Sequence, residues 1–286
     1  MKKYILNTSV IAFFIIAPIL LSSAIESNFA SPQDCELNNV SSFQGGEKLE
    51  YKVYYNWKFT WLAAGLVEFA VKDGYWNDEP VLHTTATGKT LKAYEWFYKV
   101  RDKYESYLNP ETYKPVHFVR DVDEGGYTIN CAYDFDHLSE EVFVDYRKKK
   151  GEIRQEKETL NINQCTHDML SAIYFTRNVN YADYEVGDVI TIDVFMDGEM
   201  EKIHIQYAGT ETIKTKLGKF ECIKIHPSLH ESYLFEGGKK MTVWATNDSN
   251  QVPILVEAPL RVGSVKAMLF NHENLSYELT AKVGRK

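Results

Sequence analysis

Glu47 to Lys72 reads EKLEYKVYYNWKFTWLAAGLVEFAVK, and every odd position from Leu49 to Val71 carries an apolar side chain or glycine. A period of two is the mark of a strand with one buried face. Kept as one strand, Leu49 to Val71 spans about 76 Å at roughly 3.3 Å per residue, whereas a domain of this size has a radius of gyration near ~18 Å. The chain must reverse. A two-residue loop pairs odd with even positions and swaps the apolar parity, while an odd-length loop preserves it. The preserved parity predicts a three-residue loop at Asn56-Trp57-Lys58. Tyr55 then pairs with Phe59, Val53 with Trp61, Tyr51 with Ala63 and Leu49 with Gly65, and Lys58 takes the left-handed position that glycine prefers. Large residues fall opposite small ones, which is a packing signature. Leu62, Ala64, Leu66 and Ala70 make the second arm apolar on both faces, hence central.

Outward from this run the period of two recurs. PVLHTTATG, EWFYKVRDKYESYL, PVHFVRDVDEGGYTINCAYDF, GDVITIDVFMDGEMEKIHIQYAG, ETIKTKLGKFECIKIHP and KKMTVWATNDSNQVPILVEAPLRVGSVKAMLF are rich in Val, Ile, Tyr, Phe and Thr. Gly125-Gly126, Asp197-Gly198, Leu217-Gly218 and Asn247 to Asn250 supply turns. EEVFVDYR and GEIRQEKETLNI are more polar, as an edge hairpin is. One segment departs: Met169, Leu170, Ile173 and Tyr174 follow helical spacing, with Thr166 as N-cap, Asp168 in the first turn and Arg177 near the other end. A shorter helical turn is expected at Leu91 to Tyr94. The fold class is therefore mostly β, a large antiparallel sheet curled into a barrel or a two-sheet sandwich, with one main helix near 166–178.

The chain of 286 residues opens MKKYILNTSVIAFFIIAPILLSSA, two lysines before an apolar stretch that ends in small residues. This reads as a secretory signal peptide, 1–24, followed by an aperiodic leader, 25–44, and one β-rich domain, 45–286, whose two strand sets the helix divides. Asn7, Thr8, Ser9 and Pro18 dilute the apolar run below the roughly 20 residues a spanning helix needs. Removing Lys2 and Lys3 leaves 30 basic residues against 40 acidic, a net charge of −10. That acid excess argues against nucleic acid and anionic membrane surfaces. The basic run Arg147 to Lys150 reads as a solvated hairpin end. Cys35, Cys131, Cys165 and Cys222 all lie in the exported part, where disulfides persist, and three pairings are open. Cys131, on the apolar face of a strand, also suits a buried free thiol.

Chemical signatures are sparse. His226 and His230 have the spacing of a helical metal pair, but Pro227 breaks a helix there, so no metal site is assigned. The carboxylates at Asp121, Asp123 and Glu124, and at Asp134, Asp136, Glu140 and Glu141, sit at turn ends. Ser264 lacks a nucleophile elbow, and Gly237 to Lys240 is half a phosphate loop placed before a strand, so neither a catalytic residue nor a cofactor is assigned. The remaining signal is aromatic: 19 Tyr, 15 Phe and 5 Trp. Aromatic walls stack sugars or enclose lipid chains, and Tyr55, Trp57, Trp61, Trp96 and Phe97 are the candidate ligand-binding residues.

FQGGEKLEY, NWKFTWLAAG, HDMLSAIYFTR, GKFECIKI and VWATNDSNQVPILVEAPLRVGSVKAML, in this order, resemble the exported bacterial family called domain of unknown function 3108, from about Phe43 to Phe270. A glycine is common in that family where Lys58 stands here. The resemblance is to members from Bacteroidetes-type bacteria and implies a periplasmic address; it carries no catalytic residue. The reading is an exported, soluble, non-enzymatic β protein that binds an apolar, lipid-like or glycan ligand or an envelope partner. The rivals are a hydrolase of envelope carbohydrate or lipid and a structural assembly factor.

Overall fold

The computed structural model describes residues 41–284 other than 58–59, 97, 150–152, 230–239 and 261–262, with backbone alone at Trp57 and within 146–156. The signal peptide, most of the leader, Cys35, Phe97 and His230 lie outside the described residues. The strands are β1 (Lys48–Trp57), β2 (Thr60–Trp76), β3 (Glu79–Thr90), β4 (Val100–Leu108), β5 (Pro115–Glu124), β6 (Tyr127–Asp136), β7 (Glu141–Lys149) and β8 (Ile153–Asn161). After the helix α1 (Met169–Thr176) come β9 (Val189–Met196), β10 (Glu199–Thr215), β11 (Gly218–Ser228), β12 (Thr242–Thr246), β13 (Pro253–Pro259), β14 (Ser264–Glu273) and β15 (Lys282–Val283).

All strand pairings given by the ladders are antiparallel, and they form one sheet in the order β8-β7-β6-β5-β4-β3-β2-β1-β14-β13-β12-β11-β10-β9, with β15 added to β11. The sheet curls until its ends approach. Phe195 of β9 meets Tyr133 of β6 edge-on with ring centroids 5.1 Å apart, and Arg120 of β5 reaches Asp197 in the β9–β10 turn at 2.9 Å. It does not close by pairing β8 to β9. The chain between β8 and α1 bridges the two edges instead: Ile162 N–H donates to Glu140, and His167 forms a parallel bridge with Val194 of β9.

The opening hairpin reverses as its length demands, but by a different device. Asn56 and Trp57 belong to β1 and pair with Trp61 and Thr60, so the connection is two residues long, and Lys58 and Phe59 lie outside the described residues. Tyr55 faces Leu62 and Tyr54 faces Ala63; then a bulge at Val53/Tyr54 leaves Ala64 unpaired, and Val53 faces Gly65. From there odd meets odd, with Tyr51 opposite Val67 and Leu49 opposite Phe69. The bulge restores the parity that the loop swaps, which corrects the expected partners of Val53, Tyr51 and Leu49. Gly65 stays where small size is needed: a Cβ there would lie 2.9 Å from the Lys89 carbonyl oxygen. Leu49, Tyr51, Val53, Val67, Phe69 and Val71 are buried, so the run is core from Leu49 to Val53 and from Gly65 to Val71.

Turn residues behave as read. Gly125 and Gly126, and Asp197 and Gly198, all have positive φ, the twist that two-residue hairpins require. The domain begins earlier than expected, because Phe43, assigned to the leader, is buried against Tyr174 with ring centroids 4.7 Å apart. The cysteines sort as follows: Cys165 is disulfide-bonded, whereas Cys131 and Cys222 are buried free thiols and not disulfide partners. Burial pushes their thiols up to about 11 and about 12.

α1 lies inside the curl, and six of its eight residues are buried. Its N-cap is Asp168 rather than Thr166: the Asp168 carboxylate accepts from Leu170 and Ser171 N–H, and the Ser171 hydroxyl accepts from Asp168 N–H. At the far end Arg177 donates to both carboxylate oxygens of Glu47, at 2.6 and 2.9 Å, and to the carbonyls of Ser42 and Asn250. Both partners are buried. Burial opposes the Arg177 charge, but Glu47 outweighs it and the net shift is upward. Removing one partner of such a pair strands the other, at about 3–5 kcal/mol. Glu47→Ala and Arg177→Ala are therefore each expected to cost about that much in urea unfolding, and the double variant distinctly less than their sum; additive costs would mean that the pair is not coupled.

Candidate functional site

Successive turns of α1 place Met169, Ala172, Ile173 and Thr176 on one helical stripe, since residues three and four apart share a face. That stripe faces the inner side of the second strand set, and between them lies a slot of about 70 Å³. Its other wall includes Ile192 of β9, Ile203 and Ile205 of β10, Ile225 and Pro227 of β11 and Val243 of β12, with Pro253 and Val256 of β13 completing it. Thr176 supplies the only side-chain polar atom, and its hydroxyl already donates to the Ile173 carbonyl. No charge enters the slot, so only apolar groups gain by occupying it.

A second cavity, of about 660 Å³, lies past the C-terminal end of α1. Its floor includes the buried Ser42, Asn178, Val179 and Tyr181, and its mouth is formed by the exposed Asn180, Ala182, Asn247 and Ser249. Its lining mixes amides and hydroxyls with apolar side chains, Tyr181 and Tyr207 being its aromatic part at 5.9 Å between centroids.

Of the candidate ligand-binding aromatics, the described Tyr55, Trp61 and Trp96 line neither cavity. Tyr55 is half-buried in β1 beside the hairpin tip. Trp61 is 36% exposed, with the Lys266 ammonium 3.9 Å from its ring centre. Trp96 is 83% exposed, its indole N–H donating to the Ala93 carbonyl in the turn after β3. The Leu91 N–H donates to Ala64, which ties that turn to the same rim. The structure thus gathers Tyr55, Trp61 and Trp96 at one rim, away from the interior; the Trp57 side chain and Phe97 lie outside the described residues. The slot escaped sequence reasoning because its walls are ordinary aliphatic strand positions. The usable signal was Ala172, a small residue on the helical stripe it shares with Met169 and Ile173.

Among the described residues no group of three or more His, Cys, Asp or Glu is placed to hold a metal ion. Ser171 meets His167, whose Nδ1 lies 3.3 Å from the hydroxyl. Both are buried, and neither lines a cavity described here. Ser171 already serves the helix cap. Asp134 bonds His117 at 2.6 Å on the outer face, and Asp136 caps its own turn by accepting from Leu138 and Ser139 N–H. These carboxylates are engaged locally.

A family model described as protein of unknown function, DUF3108, matches residues 50–269. The chain belongs to the DUF3108 family. Among solved structures, this DUF3108 chain is similar to a β-barrel-like protein of domain of unknown function DUF1849 from Brucella abortus. The two are 7% identical, the match covers 81% of this chain and 98% of that one, and the TM-score is 0.51, so the likeness is one of fold. The lipoprotein LppX of Mycobacterium tuberculosis is matched over 81% of this chain and 91% of that one at 14% identity, but a TM-score of 0.24 does not establish a shared fold. No curated protein matches the sequence. No helix among the described residues is long and apolar enough to cross a membrane.

The helix cap has a pH signature. Burial pushes the His167 imidazole down to about 3 from 6.5, so the unfolded chain takes its proton first and this contribution is lost as pH falls from about 6.5 toward 3. Burial pushes the Asp168 carboxyl up to about 6 from 3.8, against hydrogen bonds from Ser106 and the first turn. Its contribution is largest below 3.8 and is lost as pH rises through 6. His167→Gln removes only the first. Its cost relative to the native chain is expected to shrink by about 1 kcal/mol per pH unit between about pH 6 and pH 4. A cost independent of pH in urea unfolding overturns the buried, neutral histidine.

Proposed function

We propose that this DUF3108 chain is an exported, non-enzymatic binder that takes the end of an apolar chain into the slot between α1 and β9–β13. The observation that carries the reading is the slot itself, a gap lined by aliphatic side chains from one helix and five strands, and free of charge. A close-packed interior leaves few such gaps, and dry apolar ones take apolar guests. Its size of about 70 Å³ suits the last few carbons of a chain rather than a whole lipid. The tethers of α1 at Asp168 and Arg177 hold the helix while its middle stripe lines the gap. Export is supported by the signal-peptide pattern of residues 1–24 and by the disulfide at Cys165, a bond that persists in oxidising compartments. The bacterial periplasm fits both.

Ala172→Leu extends a side chain from α1 into the slot without touching a backbone hydrogen bond. The variant is expected to unfold at the same or a higher urea concentration than the native chain, because it fills space. In isothermal titration the native chain is expected to bind decanol, and the variant to bind it at least about tenfold more weakly, the equivalent of roughly 1.4 kcal/mol. Equal decanol binding by the two proteins, or none by the native chain, sinks the slot as a ligand site.

A further inference from the structure

The slot and the 660 Å³ cavity follow one another along the same strands. On β10, Ile203 and Ile205 line the slot and Tyr207 lines the larger cavity; on β11, Ile225 lines the first and Ile223 the second. Pro253 and Gln251 repeat the relation, and on α1 the change falls between Thr176 and Arg177. Residues two apart on a strand share a face and are about 7 Å apart, so the apolar slot and the chamber are neighbours, one side-chain step apart along these strands.

The chamber's charges are already engaged. Arg177 is held by Glu47, Ser42 and Asn250. Asp248 accepts from Thr246, Asn250 and Ala281. What the wall holds in reserve is neutral. The Asn178 side chain, 7% exposed, must turn its oxygen to the Ser42 N–H at 2.8 Å, since a backbone N–H can only donate; its amide nitrogen is left without a partner. Gln251 turns its amide nitrogen to the Val179 carbonyl at 2.8 Å, and its oxygen is left without a partner. Both atoms are shut off from solvent and hence from the chamber space, so a ligand meets instead the exposed amides of Asn180 and Asn247. The hydroxyls of Thr210 and Ser249 and the rings of Tyr181 and Tyr207 complete the surface. Exposed neutral amides, hydroxyls and two aromatic rings suit an uncharged ligand rich in hydroxyl or amide groups, while the Asp248 carboxylate repels an anion.

We infer that the ligand is an amphiphile with a neutral, sugar-like head, held with its chain end in the slot and its head in the chamber walled by Asn178, Gln251, Tyr181 and Tyr207. This rests on the slot being a chain site. A volume of about 660 Å³ lies in the range of small-molecule pockets, and the slot lies on the inward side of the chamber.

Decyl β-glucoside, below its micelle threshold, is compared with decanol by isothermal titration on the native chain, on Ser249→Trp at the chamber mouth and on Ala172→Leu in the slot. The glucoside is expected to bind about tenfold tighter than decanol, as one or two neutral hydrogen bonds provide. Ser249→Trp is expected to remove that advantage and leave decanol binding unchanged, and Ala172→Leu to weaken both. Thr210→Val, which keeps shape but removes an exposed chamber hydroxyl, repeats the first arm if the tryptophan disturbs folding. Decanol binding without a glucoside advantage, or an advantage that survives both chamber variants, overturns the inference and leaves the chain site standing. Glucoside binding that Ser249→Trp abolishes and Ala172→Leu does not touch supports the chamber and overturns the chain site.

Discussion

The guanidinium of Arg177 sits inside the curl of the sheet with Glu47 bound side-on to it and two backbone carbonyls, from Ser42 and Asn250, completing its hydrogen bonds. Burying such a charge in isolation is prohibitive, and burying a pair breaks even only when geometry is good and the remaining donors are met. Here they are met by groups from two distant parts of the chain. The segment leading into β1, the end of α1 and the β12–β13 turn can satisfy that cation only when all three are in place. The ion pair thus specifies a location more than it supplies net stability. Arg177 itself lines the polar chamber, and the helix it anchors lines the slot, so each cavity takes a wall from this arrangement.

The two halves of the sheet meet α1 with different side chains. From β2 to β6 the inward residues include Phe69, Tyr104, Phe118 and Tyr133, whose rings stack or meet at angles, as Phe118 and Tyr133 do at 5.3 Å. From β9 to β13 they are mainly aliphatic: Ile192, Val194, Ile203, Ile205 and Ile225. Broad rings adapt their tilt to fill space against a helix, whereas branched aliphatics are stiff at the first torsion and leave gaps where the opposing residue is small. Ala172 is that small residue. The void therefore lies on the aliphatic side, while aromatics such as Phe69, Tyr104, Phe118 and Tyr133 fill the core on the other side.

Much of the fold was legible because one face of each strand is buried and turns need residues tolerant of positive φ, as Gly125, Gly126, Asp197 and Gly198 show. The helix was legible from Met169 to Tyr174, but its cap was not. Thr166 and Asp168 are both good caps, and Thr166 is engaged with Asn163 in the turn before the bridge to β9. The reversal of the opening run was forced by its length, yet its mechanism was ambiguous, since an odd loop and an even loop with a bulge give the same parity. The cavities were least legible. Each wall residue is typical of its strand, and what makes a site of them is the meeting of β10, β11, β13 and α1, segments far apart in sequence. Asn178 and Gln251 sit in stretches, TRNVNYADY and TNDSNQ, whose composition reads simply as turn.

In a closed barrel, girth is fixed by strand number and stagger, because a ladder of backbone hydrogen bonds runs unbroken around it. This sheet has a seam. Across it stand ring contacts from Phe195 to Tyr133 and Phe135, the Arg120–Asp197 pair and the strap of chain that bridges β7 to β9. Side-chain contacts of that kind slide at little cost, whereas ladder bonds break one by one. The girth is therefore set at the seam by side-chain packing and by the strap's few backbone bonds to Glu140, Asp193 and Phe195 instead of a continuous ladder, so the sheet is a split ring with α1 as its mandrel.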